Sequence, residues 1–204
     1  KSLILTIAIL KIPTSANNIF GNLLIKKQAE DLIQSTQFFN ADVLESILKL
    51  LANCDTIFFF AAGNSNPLAV YSAYKFSQLG LKTVVHVSPE MQINAAYSMG
   101  KRDLAIGISN SGSTNLMVDI LKVVKERGAK SVCITNYIKS PLSKLSTHQL
   151  NTAVSDKIFF EAFDSTRVPA MGVIDMLVLL FMYKQGALRE YRTREEFLGS
   201  RFKG

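Results

Sequence analysis

The chain has 204 residues, a length that suits one domain and admits a second only if that one is very small. Hydrophobic residues make up 48% of the chain, which is enough for a core, and its two cysteines and two histidines show no metal-binding spacing. This composition argues against a metal centre and against a disulfide framework. The formal net charge is +7, and we interpret residues 186–204 as a solvated basic C-terminal tail, with contact to an acidic partner as the alternative.

The start of the chain is apolar for only a short distance. The run from Leu3 to Leu10 is too short to span a bilayer and follows a single lysine, so we expect neither a membrane span nor a signal peptide. The pattern leaves open whether residues 1–12 form a strand or a piece of helix. Cys54 and Cys133 lie singly beside apolar residues, which indicates reduced core thiols and a cytoplasmic location.

Two helices are predicted before the first strand. Residues 13–18 indicate a break, and a long amphipathic helix is predicted over residues 19–39. Its apolar stripe would consist of Ile19, Leu23, Leu24, Leu32 and Ile33. Asn40 or Asp42 would cap a second helix that runs through residue 51. Because neither helix carries an obvious reactive residue, we interpret residues 1–42 as a linker and helices that serve packing or dimerisation.

From residue 56 onward, predicted strands alternate with predicted helices. The strands cover residues 56–61, 83–88, 103–108, 131–135 and 149–154, the last at an edge. The helices cover residues 67–79, 89–99, about 115–126, 140–145 and 166–183, and residues 155–165 are irregular. This alternation predicts an α/β fold in which helices cover both faces of a parallel sheet through right-handed crossovers.

Two turns, residues 62–66 and 109–114, are rich in small polar residues, and each joins a predicted strand to a predicted helix. In a parallel sheet such turns lie at the carboxyl edge, and ligands bind where the strand order reverses. A helix N-terminus offers N–H groups and partial positive charge, and four hydroxyls in the second turn can donate beside them. Plain helix capping is the alternative, although one hydroxyl would suffice for it. The sequence therefore predicts an anion site built from neutral donors.

The residues of these turns resemble those of a known family. G-N-S at residues 63–65 and S-N-S-G-S-T at residues 109–114 are similar to the two phosphate-binding loops of the SIS (sugar isomerase) domain. The spacing of 44 residues between Ser65 and Ser109 and the later segment ITNYIKSPLSKLS are similar to that family as well. The resemblance implies a three-layer αβα sandwich with a five-stranded parallel sheet over residues 43–185, and a phosphorylated sugar as ligand. It implies phosphate contacts from Ser65, Ser109, Asn110, Ser111 and Thr114, to which we add their neighbours Gly63, Asn64 and Ser113.

Within this family the chain most resembles the effector domain of RpiR-type bacterial transcription regulators. The helical lead-in of residues 19–51 and the passage DSTRVPAMGVIDMLVLLF carry this resemblance. Thr166-Arg167 matches a Ser-Arg pair frequent there, so Arg167 is a candidate contact for the phosphate or the sugar, with a structural ion pair as the alternative. The chain has no initiator Met and no helix-turn-helix pattern in residues 1–40, so we expect it to begin inside a larger protein. The resemblance implies a homodimer or homotetramer, DNA binding through that missing upstream domain, and no cofactor.

A sensor and an enzyme remain alternatives. A phosphosugar isomerase needs a base that moves a proton between neighbouring carbons, and glutamate is the usual base in SIS enzymes. Glu161 lies among three phenylalanines, where burial would raise its pKa, and Glu90 is the second candidate. A loop carboxylate more often binds a sugar hydroxyl or stays solvated. We therefore expect a non-catalytic phosphosugar-sensing domain that modulates DNA binding, with a phosphosugar isomerase as the alternative.

Overall fold

The computed structural model describes residues 14–153, 167–186, 196 and 199–201. The strands are β1 Ile57–Ala61, β2 Thr83–Val85, β3 Leu104–Ile108, β4 Lys130–Thr135 and β5 His148–Asn151. The helices are α1 Thr14–Ser35, α2 Ala41–Asn53, α3 Asn66–Gln78, α4 Pro89–Ser98, α5 Asn115–Glu126, α6 Pro141–Leu145 and α7 Arg167–Gln185. The predicted alternation of strands and helices is confirmed.

The five strands form one sheet in the order β2-β1-β3-β4-β5, and every neighbouring pair is parallel. From β1 the chain moves outward to β2 and then returns to the other side of β1 to form β3. The strand order therefore reverses between β1 and β3, and in open α/β sheets ligands bind at such a point. The turns after these two strands are the two that the sequence singles out.

Helices cover both faces of the sheet, which confirms the three-layer prediction. Alternate side chains of each strand point to opposite faces, so Phe59 and Ile106 pack against α2, α3 and α7, whereas Phe60 and Cys133 pack against α4, α5 and α6. All five residues of β1 and all five of β3 are buried, as expected for central strands of a parallel sheet. The two rigid central strands thus support the turns that follow them.

The long apolar helix α7 belongs to this core. Its length and its mean hydropathy of 1.4 make it the one described helix that would suit a membrane span by composition. Its buried side chains pack on the sheet, with Val173, Ile174 and Leu177 each 1% exposed. Packing on a sheet accounts for the apolar composition of α7.

The N-terminal helices differ from the prediction in three respects. The predicted break at residues 13–18 is wrong, because α1 already begins at Thr14, and α1 ends at Ser35 before a 3-10 turn at Thr36–Phe38. The predicted apolar stripe packs on the domain only in part, because Leu32 lies against Gly172 of α7 whereas Leu23 is 58% and Ile33 67% exposed. Apolar spacing alone could not show which face of α1 meets the domain.

The cap of α2 and the bounds of the edge strands β2 and β5 differ less from the prediction. Asn40 caps α2 as predicted: its side-chain oxygen accepts hydrogen bonds from the N–H groups of Asp42 at 2.9 Å and Val43 at 3.1 Å. β2 ends at Val85, three residues earlier than predicted, and β5 spans residues 148–151. The predictions for residues 1–12 and 155–165 lie outside the described residues.

α1 lies against α7, and Gly172 permits the close approach. A Cβ atom added at Gly172 would lie 2.3 Å from Cδ1 of Leu32. The glycine therefore has a packing role inside α7, while Pro169 is accommodated in the first turn of that helix. These two residues leave α7 a continuous helix from Arg167 to Gln185.

Candidate functional site

The two polar turns begin side by side at the carboxyl edge of the sheet. The last residues of β1 and β3, Ala61 and Ile108, are register partners in the parallel ladder. Because both strands end at the same level, residues 62–66 and residues 109–114 leave the sheet from neighbouring points. The predicted juxtaposition of the two turns at the reversal point is therefore present.

The first turn is a single 3-10 turn, Gly63–Ser65, that leads directly into α3. Gly63 has a φ of +55°, a left-handed conformation that glycine adopts without strain, and both Gly63 and Asn64 are exposed. Ser65 is half-buried, and its N–H donates to the carbonyl of Ala62 at 3.2 Å. No side-chain hydrogen bond caps the described start of α3 at Ser65. The hydroxyl of Ser65 is therefore not used as a helix cap.

The second turn folds back on itself through its own hydroxyls. Ser109 is 4% exposed, and its side-chain oxygen accepts a hydrogen bond of 3.2 Å from the N–H of Gly112. The side-chain oxygen of Ser111 accepts one of 3.3 Å from the N–H of Ser113, and both of these serines are exposed. Thr114 is half-buried at the start of α5, and the described contacts include no side-chain cap from it. The capping alternative therefore does not account for these hydroxyls.

Gly112 occupies a position of the second turn at which a side chain would clash with its neighbours. Its φ of +59° is left-handed, and a Cβ atom there would lie 2.3 Å from Oγ of Ser140 and 2.8 Å from Oγ1 of Thr135. The carbonyl of Gly112 also accepts a hydrogen bond of 3.0 Å from the N–H of Leu142 in α6. The turn is thus pressed against the segment after β4, and only glycine fits at this position.

Thr135, the last residue of β4, holds the second turn in place, and sequence reasoning did not single it out. Its hydroxyl donates to the carbonyl of Asn110 at 3.1 Å and accepts from the N–H of Tyr137 at 3.3 Å. Its carbonyl accepts from Nδ2 of Asn151 at 3.2 Å and from the N–H of Thr152 at 3.0 Å. A threonine at the end of a predicted strand is common, so only its tertiary partners reveal this role.

A narrow pocket connects the two turns with α7. Its free volume is about 10 Å³, roughly the space of one water molecule. The polar residues that line it are Ser65, Asn110, Thr135, Thr152 and Arg167, and the apolar ones are Leu68, Ile108, Ile134 and Ala170. The structure therefore brings three sequence-predicted site residues, Ser65, Asn110 and Arg167, around one pocket. It adds Thr135 and Thr152, which the sequence analysis missed.

The other predicted site residues surround this pocket without lining it. Gly63 and Asn64 lie on the exposed first turn, whereas Ser109, Ser111, Ser113 and Thr114 lie on the second. Arg167 is half-buried in the first turn of α7 and takes part in a polar interaction of its own. The positions fit an anion site, and the ligand contacts of the individual residues stay a prediction.

Of the two candidate catalytic carboxylates, the structure describes only Glu90 and gives it little support. Glu90 is exposed at the start of α4, and its Oε2 accepts a hydrogen bond of 2.6 Å from the hydroxyl of Ser88. This hydrogen bond holds the pKa of Glu90 below its ordinary value, which is the opposite of the shift that a general base near neutral pH needs. Glu161 lies outside the described residues.

Comparison with known proteins places the chain in a family. The family model for the SIS domain matches residues 50–180. An HTH-type transcriptional regulator of Caldanaerobacter subterraneus is 30% identical over 159 residues, which cover 78% of this chain and 56% of that protein. The bifunctional protein glk of Burkholderia thailandensis is 31% identical over 160 residues, or 78% of this chain and 25% of that protein.

Solved structures give the same fold. The Vibrio vulnificus NanR protein, complexed with ManNAc-6P, matches with a TM-score of 0.81 at 20% identity, over 91% of this chain and 70% of that one. The sugar isomerase domain of an RpiR transcription factor from Sphaerobacter thermophilus matches with a TM-score of 0.71 at 19% identity, over 85% and 98% of the two chains.

These matches confirm the predicted fold and the predicted resemblance to RpiR-type regulators. The chain spans 56% of the length of the Caldanaerobacter regulator and 65% of that of a second HTH-type transcriptional regulator, from Clostridium perfringens, to which it is 26% identical over 181 residues. The match to the family model covers well over half of the chain, including both polar turns. The chain therefore belongs to the SIS domain family.

Proposed function

We propose that this chain is the phosphosugar-sensing effector domain of a transcription regulator. In this proposal the phosphate of a sugar phosphate binds at the carboxyl edge of β1 and β3, held by the two polar turns. Binding then alters DNA binding by a helix-turn-helix domain upstream of the chain. The observation that carries the proposal is the meeting of Ser65, Asn110 and Arg167 around one pocket at the point where the strand order reverses.

The chemistry of this edge suits a phosphate ester. The N-termini of α3 and α5 follow the two turns, and their first N–H groups and partial positive charge favour an anion. The hydroxyls of Ser111 and Thr114 can donate to phosphate oxygens, and the guanidinium of Arg167 can supply a formal charge. Hydrogen bonds to a charged group contribute about 1.5–3 kcal/mol each, so a few such donors would account for micromolar binding.

The relatives support the regulatory half of the proposal. Two of them are HTH-type transcriptional regulators, and the NanR structure holds a sugar phosphate.

We further propose a homodimer or homotetramer in the cytoplasm, where such a regulator meets both DNA and sugar phosphates. Exposed apolar residues on α1, including Leu23, Ile25 and Ile33, would be suitable for a subunit contact.

Calorimetric titration with a panel of aldose, ketose and amino-sugar phosphates tests the ligand site. At least one sugar phosphate should bind, and its parent sugar without phosphate should bind at least 100-fold more weakly. Ser111→Ala and Thr114→Ala should each weaken binding about tenfold or more, in line with a lost hydrogen bond to a charged group. Ser77→Ala is the matched control, because Ser77 is an exposed serine whose hydroxyl donates to Tyr74 at the far end of α3. Unchanged affinity in both site variants would contradict the proposed site.

The alternative is a phosphosugar isomerase, and one neighbour supports it in general terms. A structure of MJ1247 from Methanococcus jannaschii, described as inferring a 3-hexulose-6-phosphate isomerase function, matches with a TM-score of 0.69 at 17% identity. Incubation of the chain with aldose and ketose phosphates, followed by product analysis, decides between the two. Turnover that disappears in Glu161→Gln would overturn the sensor proposal, and absence of turnover with binding retained would support it.

A further inference from the structure

A buried hydrogen bond joins the C-terminal end of α1 to the strand that leads into the pocket. The side-chain oxygen of Ser35 accepts from the N–H of Ala153 at 2.8 Å, across 118 residues of sequence. Ser35 is fully buried, and its hydroxyl also donates to the carbonyl of Asp31 at 2.8 Å. The bond from Ala153 thus joins α1 to the residue that follows β5, while the bond to Asp31, within α1, orients the hydroxyl.

From Ala153, hydrogen bonds continue into the second polar turn. Its neighbour Thr152 lines the pocket and donates its N–H to the carbonyl of Thr135 at 3.0 Å. The hydroxyl of Thr135 in turn donates to the carbonyl of Asn110 at 3.1 Å. A continuous path therefore runs from Asn110 through Thr135, Thr152 and Ala153 to Ser35, and three of its members line the pocket.

The small volume of the pocket links ligand binding to this hydrogen-bond path. A volume of about 10 Å³ holds roughly one water molecule, so a phosphate oxygen placed among the lining residues Asn110, Thr135 and Thr152 would displace them. Interiors are close-packed, and displaced residues push their neighbours. The lining residue Thr152 is attached to α1 through Ala153 and Ser35. The lining residue Ala170 lies two positions before Gly172, where α7 contacts Leu32 of α1.

We propose that Ser35 couples occupancy of the phosphosugar pocket to the position of α1. This inference rests on the proposed function and adds the route by which the ligand would be sensed. α1 runs from Ser35 back to Thr14, a span of about 33 Å at 1.5 Å per residue, toward the N-terminal side of the chain. A helix displaced at its Ser35 end moves as a rigid body, so a small shift at the pocket reaches the far end of α1. By linkage, a change at Ser35 must equally be felt at the pocket.

Hydrogen exchange of individual amides, followed by NMR, tests the coupling even before the sugar is identified. We would compare the wild type with Ser35→Ala, in buffer alone and in about 20 mM inorganic phosphate as the probe, a concentration at which a weakly bound anion still occupies its site. Ser46→Ala is the matched control, because the hydroxyl of Ser46 makes the same bond to the carbonyl four residues earlier, at 2.8 Å, but on the exposed surface of α2. The readout is exchange at residues 32–36, which are the last turn of α1 and the residue after it, and at Gly112 and Asn136, whose N–H groups bond to acceptors in the second turn.

In buffer alone, Ser35→Ala should speed exchange at Gly112 and Asn136 at least threefold, although neither residue touches Ser35, and Ser46→Ala should leave both unchanged. In phosphate, exchange in the wild type should slow at both the second turn and residues 32–36. In Ser35→Ala, phosphate should still slow exchange at the second turn but no longer at residues 32–36.

Unchanged exchange at Gly112 and Asn136 in Ser35→Ala would overturn the coupling. Phosphate that protects residues 32–36 equally in both proteins would overturn it too. Phosphate that protects neither region of the wild type would count against the proposed function, while the comparison in buffer still decides the coupling.

Discussion

The side chain of Gln92 completes the end of β1, because its Oε1 accepts a hydrogen bond of 3.1 Å from the N–H of Ala61. Alternate residues of β1 face β2, beginning with Ile57, whose N–H donates to Lys82. β2 ends opposite Phe59, so the N–H of Ala61 extends past the last residue of that strand. Gln92, 1% exposed on α4, supplies the acceptor that the short strand does not. The first polar turn therefore starts from a point that a side chain on another helix fixes.

We predict that Gln92→Met destabilises the domain by about 1 kcal/mol, because it leaves the buried N–H of Ala61 without its acceptor, while loss of the buried Nε2, which has no described hydrogen-bond partner, offsets part of that cost. Asn94→Ala, an exposed position on the same helix, should change stability by less than about 0.5 kcal/mol. Urea unfolding followed by circular dichroism measures both. Equal stability of the two variants would show that the bond to Ala61 contributes nothing.

The two left-handed glycines of the site allow a matched comparison. Gly112→Ala must adopt a φ of +59° and place its Cβ 2.3 Å from Oγ of Ser140, so we expect a loss of about 2–4 kcal/mol in the free energy of unfolding. Gly63→Ala has a similar φ of +55° but open space around it, so only the backbone cost of about 1 kcal/mol applies. Chemical denaturation of both variants gives the difference. A greater loss in Gly63→Ala would mean that the second turn is not packed as described.

Thr135→Val should weaken ligand binding as well as stability. Valine has the same shape but cannot donate to the carbonyl of Asn110, so the second turn loses a tether and we expect about fivefold to tenfold weaker binding of a sugar phosphate. Thr147→Val is the control, because Oγ1 of Thr147 accepts a hydrogen bond of 3.1 Å from the N–H of Ser131 at the opposite end of β4. It should lower stability by about 1 kcal/mol with affinity unchanged. Calorimetry that finds the same affinity in both variants would show that Thr135 does not contribute to ligand binding.

The two cysteines should react slowly in the native protein. Burial raises the pKa of the Cys133 thiol to about 11 and that of the Cys54 thiol to about 11, from a value of 9.0. At pH 8 this leaves about 100-fold less thiolate than in the unfolded chain, and iodoacetamide labelling should slow by a similar factor. Mass spectrometry of native and urea-unfolded protein provides the rates.

The same pKa shift has a consequence for stability. The folded-state pKa of Cys133 lies above the unfolded value. The contribution of the buried thiol to the free energy of unfolding is therefore fully present below pH 9 and is lost as the pH rises toward 11. Cys133→Ala should therefore show a shallower decline of the free energy of unfolding across this range than the wild type. An identical decline in the two proteins would mean that the thiol is not buried as described.

The elements that depend on local chemistry could be predicted from the sequence. Asn40 caps α2, Pro67 lies in the first turn of α3, and the two polar turns join the strands and helices assigned to them. The hydroxyls of the second turn were recognisable because they cluster within a few positions after a buried strand. A short segment carries enough information to specify such features.

The parts that depend on distant partners could not be predicted. Thr135, Thr152 and Ser35 have no distinctive neighbours in sequence, and their roles arise only when β4, β5 and α1 meet. The face of α1 that meets the domain could not be predicted for the same reason: Leu23 and Ile33 keep helical spacing yet are exposed, while Ser35 is buried. Hydrophobic spacing indicates a helix but not which of its faces meets the domain.

The most direct test of the central claim is a crystal structure of the chain with the sugar phosphate that binds most tightly in the calorimetric panel. We predict phosphate oxygens within hydrogen-bonding distance of Ser65, Ser111 or Thr114 and of main-chain N–H groups in residues 111–114, with Thr152 displaced from its present position. A phosphate bound at any other part of the chain, with the space between the two turns filled by apolar side chains, would contradict the account.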